Sequence, residues 1–289
     1  MRSRLLILAA AVLWSTAGAA IKLTALNAWQ IAGGRSLVAA LAVAALVPAS
    51  RVRPRPRVLG VALANAVTVI LFVVATKLTT AANAIFLQET APLWVLLLAP
   101  LLLGERPSRG ELLSVPVYAA GLALFFVDDL TAGQLAGKLC ALGSGLAFGV
   151  TIVGLRHLRE EGPGALLWGS VVAAGVTLPL WGTGPAATPT DLALLLFLGV
   201  FQLALAYVCF ARGLAGVTAV EASLLMLLEP VLSPIWAFLA VGERPGPWAL
   251  GGGAIVLAAT AWRTVAPALG HPRTAHQPSP LPHRGRGPG

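Results

Sequence analysis

Apolar residues form long runs along this chain, and short polar clusters interrupt them at regular intervals. Runs of roughly 18–24 apolar residues have the length that an α-helix needs to cross a bilayer. Ten such runs predict membrane spans near residues 5–23, 28–48, 58–77, 80–103, 110–127, 135–155, 164–182, 190–211, 217–241 and 246–263. Because most of the intervening loops are shorter than ten residues, the pattern predicts an all-α membrane protein without a soluble domain.

A repeat divides this pattern into two halves. The tetrapeptide Gly-Glu-Arg-Pro occurs at 104–107 and at 242–245, and a proline precedes each copy by twelve residues, at Pro92 and Pro230. Both the tetrapeptides and the prolines are 138 residues apart. Internal repetition on this scale in an apolar chain is typical of secondary transporters built from two copies of one helical bundle.

Each half contains five predicted spans, an odd number, so the second half should enter the membrane from the face opposite to the first. We therefore predict ten transmembrane helices arranged as two inverted five-helix repeats, in residues 1–129 and 130–263. The remaining segment, 264–289, is rich in Pro, Gly, Arg and His without periodicity, which predicts a disordered basic tail.

Composition agrees with lipid as the solvent, since 57% of the 289 residues are hydrophobic and 11% are charged, with a mean hydropathy of +0.84. The first span has a second interpretation. The basic start at Met1–Arg4, followed by Leu5–Leu13 and small residues, also fits a signal peptide. Its cleavage would leave nine spans and break the repeat, which favours the interpretation as a span.

The net charge of +9 is distributed unevenly across the predicted topology. With the N-terminus inside, fifteen basic residues fall on the cytoplasmic side and four on the outer side, while Arg35 lies within the second span. This bias follows the positive-inside rule and predicts cytoplasmic termini in the cell (plasma or inner) membrane. Orientation explains the charge, so we expect no nucleic-acid partner. The four outer residues are Lys22, Lys77, Lys138 and Arg244.

Taken together, these features resemble the EamA-type members of the drug/metabolite transporter superfamily. The motif residues that carry the resemblance are Pro92 with Gly104-Glu105, Glu229-Pro230 with Gly242-Glu243, Trp14 and Arg35. Two positions depart from the family pattern, Ser15 in place of a glycine and Glu89 in a stretch that is usually neutral. The resemblance covers about residues 5–263 and implies a ten-helix carrier. The substrates of the superfamily's members include amino acids, sugars and nucleobases.

The two repeated prolines predict where the substrate path runs. A proline removes the hydrogen bond to the carbonyl four residues earlier and kinks the helix. Pro92 thus frees the carbonyl of Gln88, and Pro230 frees that of Met226, both near the bilayer midplane. Free backbone at this depth is tolerated inside protein or beside a wet cavity. The kinks either line the substrate path or are structural bends sealed by neighbouring side chains.

Three carboxylates lie in the same predicted region, Glu89, Glu221 and Glu229. An acidic side chain at the centre of a membrane helix costs on the order of 2.5–3.5 kcal/mol on insertion scales, so each needs a partner, a proton or a function. Glu229, next to the kink proline, is the strongest candidate for proton coupling or for contact with a substrate ammonium group. The alternative is a protonated side chain that bridges helices.

Arg35 is the one basic residue well inside a predicted span, and arginine there needs an acidic or carbonyl partner. We predict a structural ion pair with Glu89, with direct substrate binding as the alternative.

Polar and aromatic residues complete a predicted cavity lining. They are Asn65, Asn83, Gln202, Tyr207 and Trp14. For Trp14, helix packing is the alternative to lining the cavity.

Catalytic and metal-site patterns are missing from the sequence. Asp128-Asp129 forms an acidic pair without a histidine or third carboxylate at metal-ligand spacing, and Cys140 and Cys209 fall inside predicted spans. We therefore predict no metal, no cofactor and no enzymatic activity. The predicted function is alternating-access transport, with export favoured, of small metabolites such as amino acids or related amphipathic solutes, with protons as the candidate coupling ion. A lipid flippase or a polytopic membrane enzyme is the alternative, and the oligomeric state is open.

Overall fold

The computed structural model of the chain describes residues 1–102, 109–127, 132–214, 216 and 225–270. All regular secondary structure in these residues is helical, as the apolar runs predict. In the first half the helices are α1 (Arg2–Ser15), α2 (Ala17–Leu23), α3 (Ala28–Leu46), α4 (Pro56–Leu78), α5 (Ala81–Gln88), α6 (Ala91–Leu102) and α7 (Arg109–Leu124).

In the second half the structure describes six further α-helices. They are α8 (Ala132–Leu158), α9 (Gly162–Thr177), α10 (Pro189–Leu196), α11 (Ala206–Leu214), α12 (Leu228–Val241) and α13 (Pro247–Gly270). A π-helix over Phe197–Leu205 joins α10 to α11, and short 3₁₀ turns cover Pro48–Ser50, Arg159–Glu161 and Leu178–Thr183.

Seven helical stretches of the described chain are long and apolar enough to cross a membrane. The other three predicted spans correspond to shorter apolar helices, Leu112–Leu124, Leu228–Val241 and Pro247–Trp262. The structure thus has multiple membrane-length helices, while the predicted count of ten spans in two inverted repeats stays a prediction. For the ninth span, 217–224 lie outside the described residues, so only its later part can be compared.

Glycines allow α8 to lie directly against the chain from the end of α4 to α6. A Cβ on Gly137 would come within 2.8 Å of Thr79, one on Gly145 within 2.9 Å of the Leu87 carbonyl oxygen, and one on Gly149 within 2.7 Å of the Trp94 Cβ. Small residues at such spacing let membrane helices approach until backbones touch. Residues 79–94 are therefore held against α8 along its length.

The structure bears on the predictions for both ends of the chain. Helix α1 packs inside the bundle, with Ile7 fully buried and Gly213 of α11 in contact with it, which favours the interpretation as a span over a signal peptide. Helix α13 continues to Gly270, beyond residue 263 where the last span was predicted to end. Residues 264–270 of the predicted disordered tail (264–289) therefore belong to this helix, and 271–289 lie outside the described residues.

Candidate functional site

Two helices that carry the repeated prolines are interrupted just before them. Helix α5 ends at Gln88 and α6 begins at Ala91, so Glu89 and Thr90 form a break two residues before Pro92. In the second half a turn at Leu227 separates helical Met226 from Leu228, again just before a proline, Pro230. Leu227 is 138 residues after Glu89, so the two breaks occupy equivalent positions of the sequence repeat.

The first break is stabilised locally and by α8. The Thr90 hydroxyl donates to the Leu87 carbonyl at 2.6 Å, and the Glu89 N–H donates to the Ile85 carbonyl at 2.9 Å. Gln88 Nε2 donates to Ser144 Oγ at 2.8 Å, and Ser144 Oγ donates to the Thr68 carbonyl at 2.9 Å. These side-chain bonds hold the break between α4 and α8, because the proline has removed the main-chain bond that would continue the helix.

Two of the three predicted carboxylates lie at the breaks. Glu89 lies in the first break, Glu229 lies in the first turn of α12, and their carboxyl groups are close enough to interact electrostatically. Both side chains are half-buried. Within the described part of the chain, neither carboxylate forms an ion pair. Such a pair can take up a proton or bind a cationic group. Glu221 falls outside the described residues.

The predicted ion pair between Arg35 and Glu89 is wrong. Both residues are described, and the structure forms no such pair. Arg35 is 2% exposed, and its Nη2 donates to the Val69 carbonyl on α4 at 3.3 Å. Its guanidinium carbon lies 6.0 Å from the centroid of the Phe72 ring, and its Nε has no hydrogen-bond partner. Of the two kinds of partner expected for a buried arginine, an acidic group or a carbonyl, Arg35 has the carbonyl.

The other predicted lining residues are spread over several levels of the bundle. Trp14 packs on Phe210 of α11 with ring centroids 5.3 Å apart, which agrees with the packing alternative. Gln202 is buried in the π-helix with its Oε1 unpartnered, and Tyr207 is half-buried at the start of α11. Asn65 lies between α4 and α9, where a Cβ on Gly169 would come within 2.5 Å of its Nδ2.

Asn83 belongs to a polar cluster at the end of the bundle where α2 ends and α5 begins. We call it the Thr79 cluster; it consists of Lys22, Thr79, Ala81, Asn83, Gln134 and Glu243. Lys22 Nζ donates to the Thr79 carbonyl at 2.8 Å and lies 3.1 Å from Glu243 Oε2. Glu243 Oε1 accepts the Ala81 N–H at the first turn of α5. Thr79 Oγ1 donates to Gln134 and accepts from Asn83.

This cluster is not among the sites predicted from the sequence. The signal was present, because Thr80-Ala81 and the Glu of Gly-Glu-Arg-Pro both recur at the 138-residue offset. The structure connects one copy of each element across the two halves, since Ala81 of the first half donates its N–H to Glu243 of the second. A sequence repeat shows which residues are equivalent, but it does not show which of them touch.

No group of three or more His, Cys, Asp or Glu side chains that could hold a metal ion occurs in the described ranges. The helix breaks, with Glu89 and Glu229 beside them, and the buried Arg35 are the candidate site residues.

Comparison with known proteins points to one family. The sequence model of the EamA-like transporter family matches residues 1–127 and again residues 135–264. An "uncharacterized transporter" of Archaeoglobus fulgidus is 30% identical over 228 residues, which cover 73% of this chain and 78% of that protein. A "probable terminal-alkyne amino-acid exporter" of Streptantibioticus cattleyicolor is 28% identical over 262 residues, which cover 86% of this chain and 88% of that protein.

The fold is also found among solved structures. One crystal structure matches with a TM-score of 0.65 at 18% identity and covers 92% of this chain and 98% of its own. At that identity the likeness concerns the fold alone.

Proposed function

This chain is an integral membrane protein of the EamA-like transporter family, and from that premise we propose that it exports amino acids or related small polar and amphipathic solutes by alternating access. The observation that carries the proposal is the pair of helix breaks at repeat-equivalent positions, with Glu89 and Glu229 beside them. Broken helices near the midplane supply the polar groups that bind solutes in many carriers.

The proposed solute class and direction of transport are supported by the name of a relative. The relative of Streptantibioticus cattleyicolor is named as an amino-acid exporter, which favours export of an amino acid or a related solute here. Inverted halves with cytoplasmic termini, as the positive-inside bias predicts, would place the Thr79 cluster at the outer end of the bundle. In the plasma membrane that end is the exit side for an exported solute. A carrier of this kind needs no bound cofactor, and we expect no enzymatic activity.

Glu229 is the proposed coupling residue. Two carboxyl groups that interact in a weakly hydrated site share protons readily, because two neighbouring negative charges are unfavourable there. A proton that enters from outside would neutralise one carboxylate of the pair, and release of that proton to the cytoplasm would restore its negative charge. An inward proton gradient would then drive solute outward. Contact of Glu229 with a substrate ammonium group is compatible with this role.

The test is gradient-driven transport in proteoliposomes with Glu229→Gln, which keeps the size of the side chain but cannot ionise. We expect wild-type transport of an amino acid panel to accelerate several-fold under an imposed pH gradient, and the variant to transport without responding to it. Glu160→Gln, at an exposed position, is the matched control. An unchanged pH response in folded Glu229→Gln protein would remove Glu229 from the coupling role.

A further inference from the structure

Arg35 is a buried cation whose charge no carboxylate of the described residues balances. Among the described residues no carboxylate lies within ion-pair distance of it, and its hydrogen bond is the one from Nη2 to the Val69 carbonyl, at 3.3 Å. Nε is buried without a partner. A guanidinium has five N–H donors, and at membrane depth each unsatisfied donor is costly. A bound ligand could supply the hydrogen-bond acceptors that the Arg35 guanidinium lacks.

A second unpartnered polar group lies on the helix that packs beside Arg35. Gly199 in the π-helix touches the Arg35 backbone, since a Cβ there would come within 2.8 Å of the Arg35 carbonyl oxygen. Gln202 follows three residues later, is 5% exposed, and its Oε1 has no hydrogen-bond partner. π-Helical segments inside longer helices frequently occur at functional sites. Gln202 is therefore a second buried polar group without a partner for its Oε1, on the helix that packs beside the Arg35 backbone.

Arg35 also lies at the depth of the first helix break. It binds the carbonyl of Val69, and the Ser144 hydroxyl that holds Gln88 binds the carbonyl of the preceding residue, Thr68. Consecutive residues of a helix differ in height by about 1.5 Å. The guanidinium and the break with Glu89 are therefore attached to α4 at the same level of the membrane, without touching each other.

We propose that Arg35 binds the carboxylate of the transported solute, while the ammonium group faces the acidic side of the site at Glu89 and Glu229. This deepens the proposed function and rests on it: the substrate class is the zwitterionic amino acid, not the free amine. A guanidinium recognises a carboxylate through two parallel N–H donors. Neutral or purely cationic solutes would leave the charge of Arg35 unbalanced. Because Arg35 is 2% exposed here, the solute reaches it when the bundle opens.

The test compares amino acids with the amines formed by removing their carboxylate, in the same proteoliposomes. The probe pairs are norleucine with pentylamine, phenylalanine with phenethylamine, and tryptophan with tryptamine. We expect wild-type protein to prefer the acid member of at least one pair by about tenfold or more in transport efficiency, about 1.4 kcal/mol. Arg35→Gln should raise the KM of that amino acid about tenfold or more and leave the KM of its amine within about twofold.

Two further variants keep the test decisive. Arg35→Lys preserves the charge but not the planar pair of donors, so it should retain part of the preference; it replaces Arg35→Gln if that variant does not fold. Arg212→Gln, at an exposed arginine, is the matched control and should keep the full preference. Folding is checked by size-exclusion chromatography and thermal unfolding in detergent.

The outcomes separate this inference from the proposed function. Amines transported as well as amino acids by the wild type, or an unchanged preference in folded Arg35→Gln, would overturn the role of Arg35 while the carrier function stands. Absence of transport for all six probes by inserted wild-type protein would overturn the proposed function and the inference together.

Discussion

At the residue scale, three charged side chains near helix ends bind main-chain groups of another helix. Lys22 and Lys77 donate to the carbonyls of Thr79 and Thr24, at 2.8 and 2.7 Å, and Glu243 accepts the N–H of Ala81. Carbonyls at helix ends and N–H groups at helix starts have no partner in their own helix. Polar side chains from another helix can therefore join two helix ends without needing an opposite charge for each.

The ion pair between Lys22 and Glu243 joins the two halves of the chain, so its two members should be coupled energetically. We expect Lys22→Met and Glu243→Gln each to lower the unfolding temperature by a few degrees. The double variant should lose less than the two single losses combined, because the second change removes a partner that is already unpaired. Thermal unfolding in detergent measures all three. Strictly additive losses would show that the contact does not stabilise the fold.

At the element scale, the helix breaks could be anticipated from sequence, because proline acts on its own helix four residues back. Pro92 and Pro230 therefore marked both breaks to within a few residues. The π-helix over Phe197–Leu205 could not be anticipated, because the segment contains no proline to mark it and the contact of Gly199 with Arg35 and Val38 has no sequence signature. The partner of Arg35 was missed for the same reason: a carbonyl on a neighbouring helix has no sequence signature, whereas Glu89 is visible as a charge.

The close packing of α8 on the first helix break can be tested with glycine substitutions. A methyl group at position 145 would lie within 3.0 Å of the Leu87 and Gln88 carbonyl oxygens and the Thr90 hydroxyl. Gly145→Ala should therefore destabilise the protein by about 1–3 kcal/mol, the usual cost of overpacking. Gly175→Ala is the control, because a Cβ there meets nothing within 4 Å, and alanine favours a helix over glycine by about 0.5–1 kcal/mol.

Thermal unfolding in detergent again separates the two glycine variants. A lowered unfolding temperature for Gly145→Ala, with an unchanged or raised one for Gly175→Ala, is the expected result. Equal behaviour of the two would mean that the close contact between α8 and the break is not tight in the protein.

At the scale of the whole molecule, the repeat organises the site. The 138-residue offset relates the two broken helices, and Glu89 and Glu229 lie beside these breaks at positions that are not equivalent in the repeat. In the function proposed above, an asymmetric pair of carboxylates, with Arg35 from the first half alone, would give the two repeats one oriented binding site. Rocking of the two halves around such a site would expose it to each side of the membrane in turn.

The most direct test of the transport function is counterflow. Proteoliposomes that hold the purified protein are loaded with a panel of unlabelled amino acids, nucleobases, sugars and small organic cations, and uptake of each labelled solute is followed. We predict saturable uptake of amino acids that requires the same class of solute inside and is absent from protein-free liposomes. No uptake across the panel by folded, inserted protein, together with scrambling of fluorescent lipids, would contradict this account and identify a flippase instead.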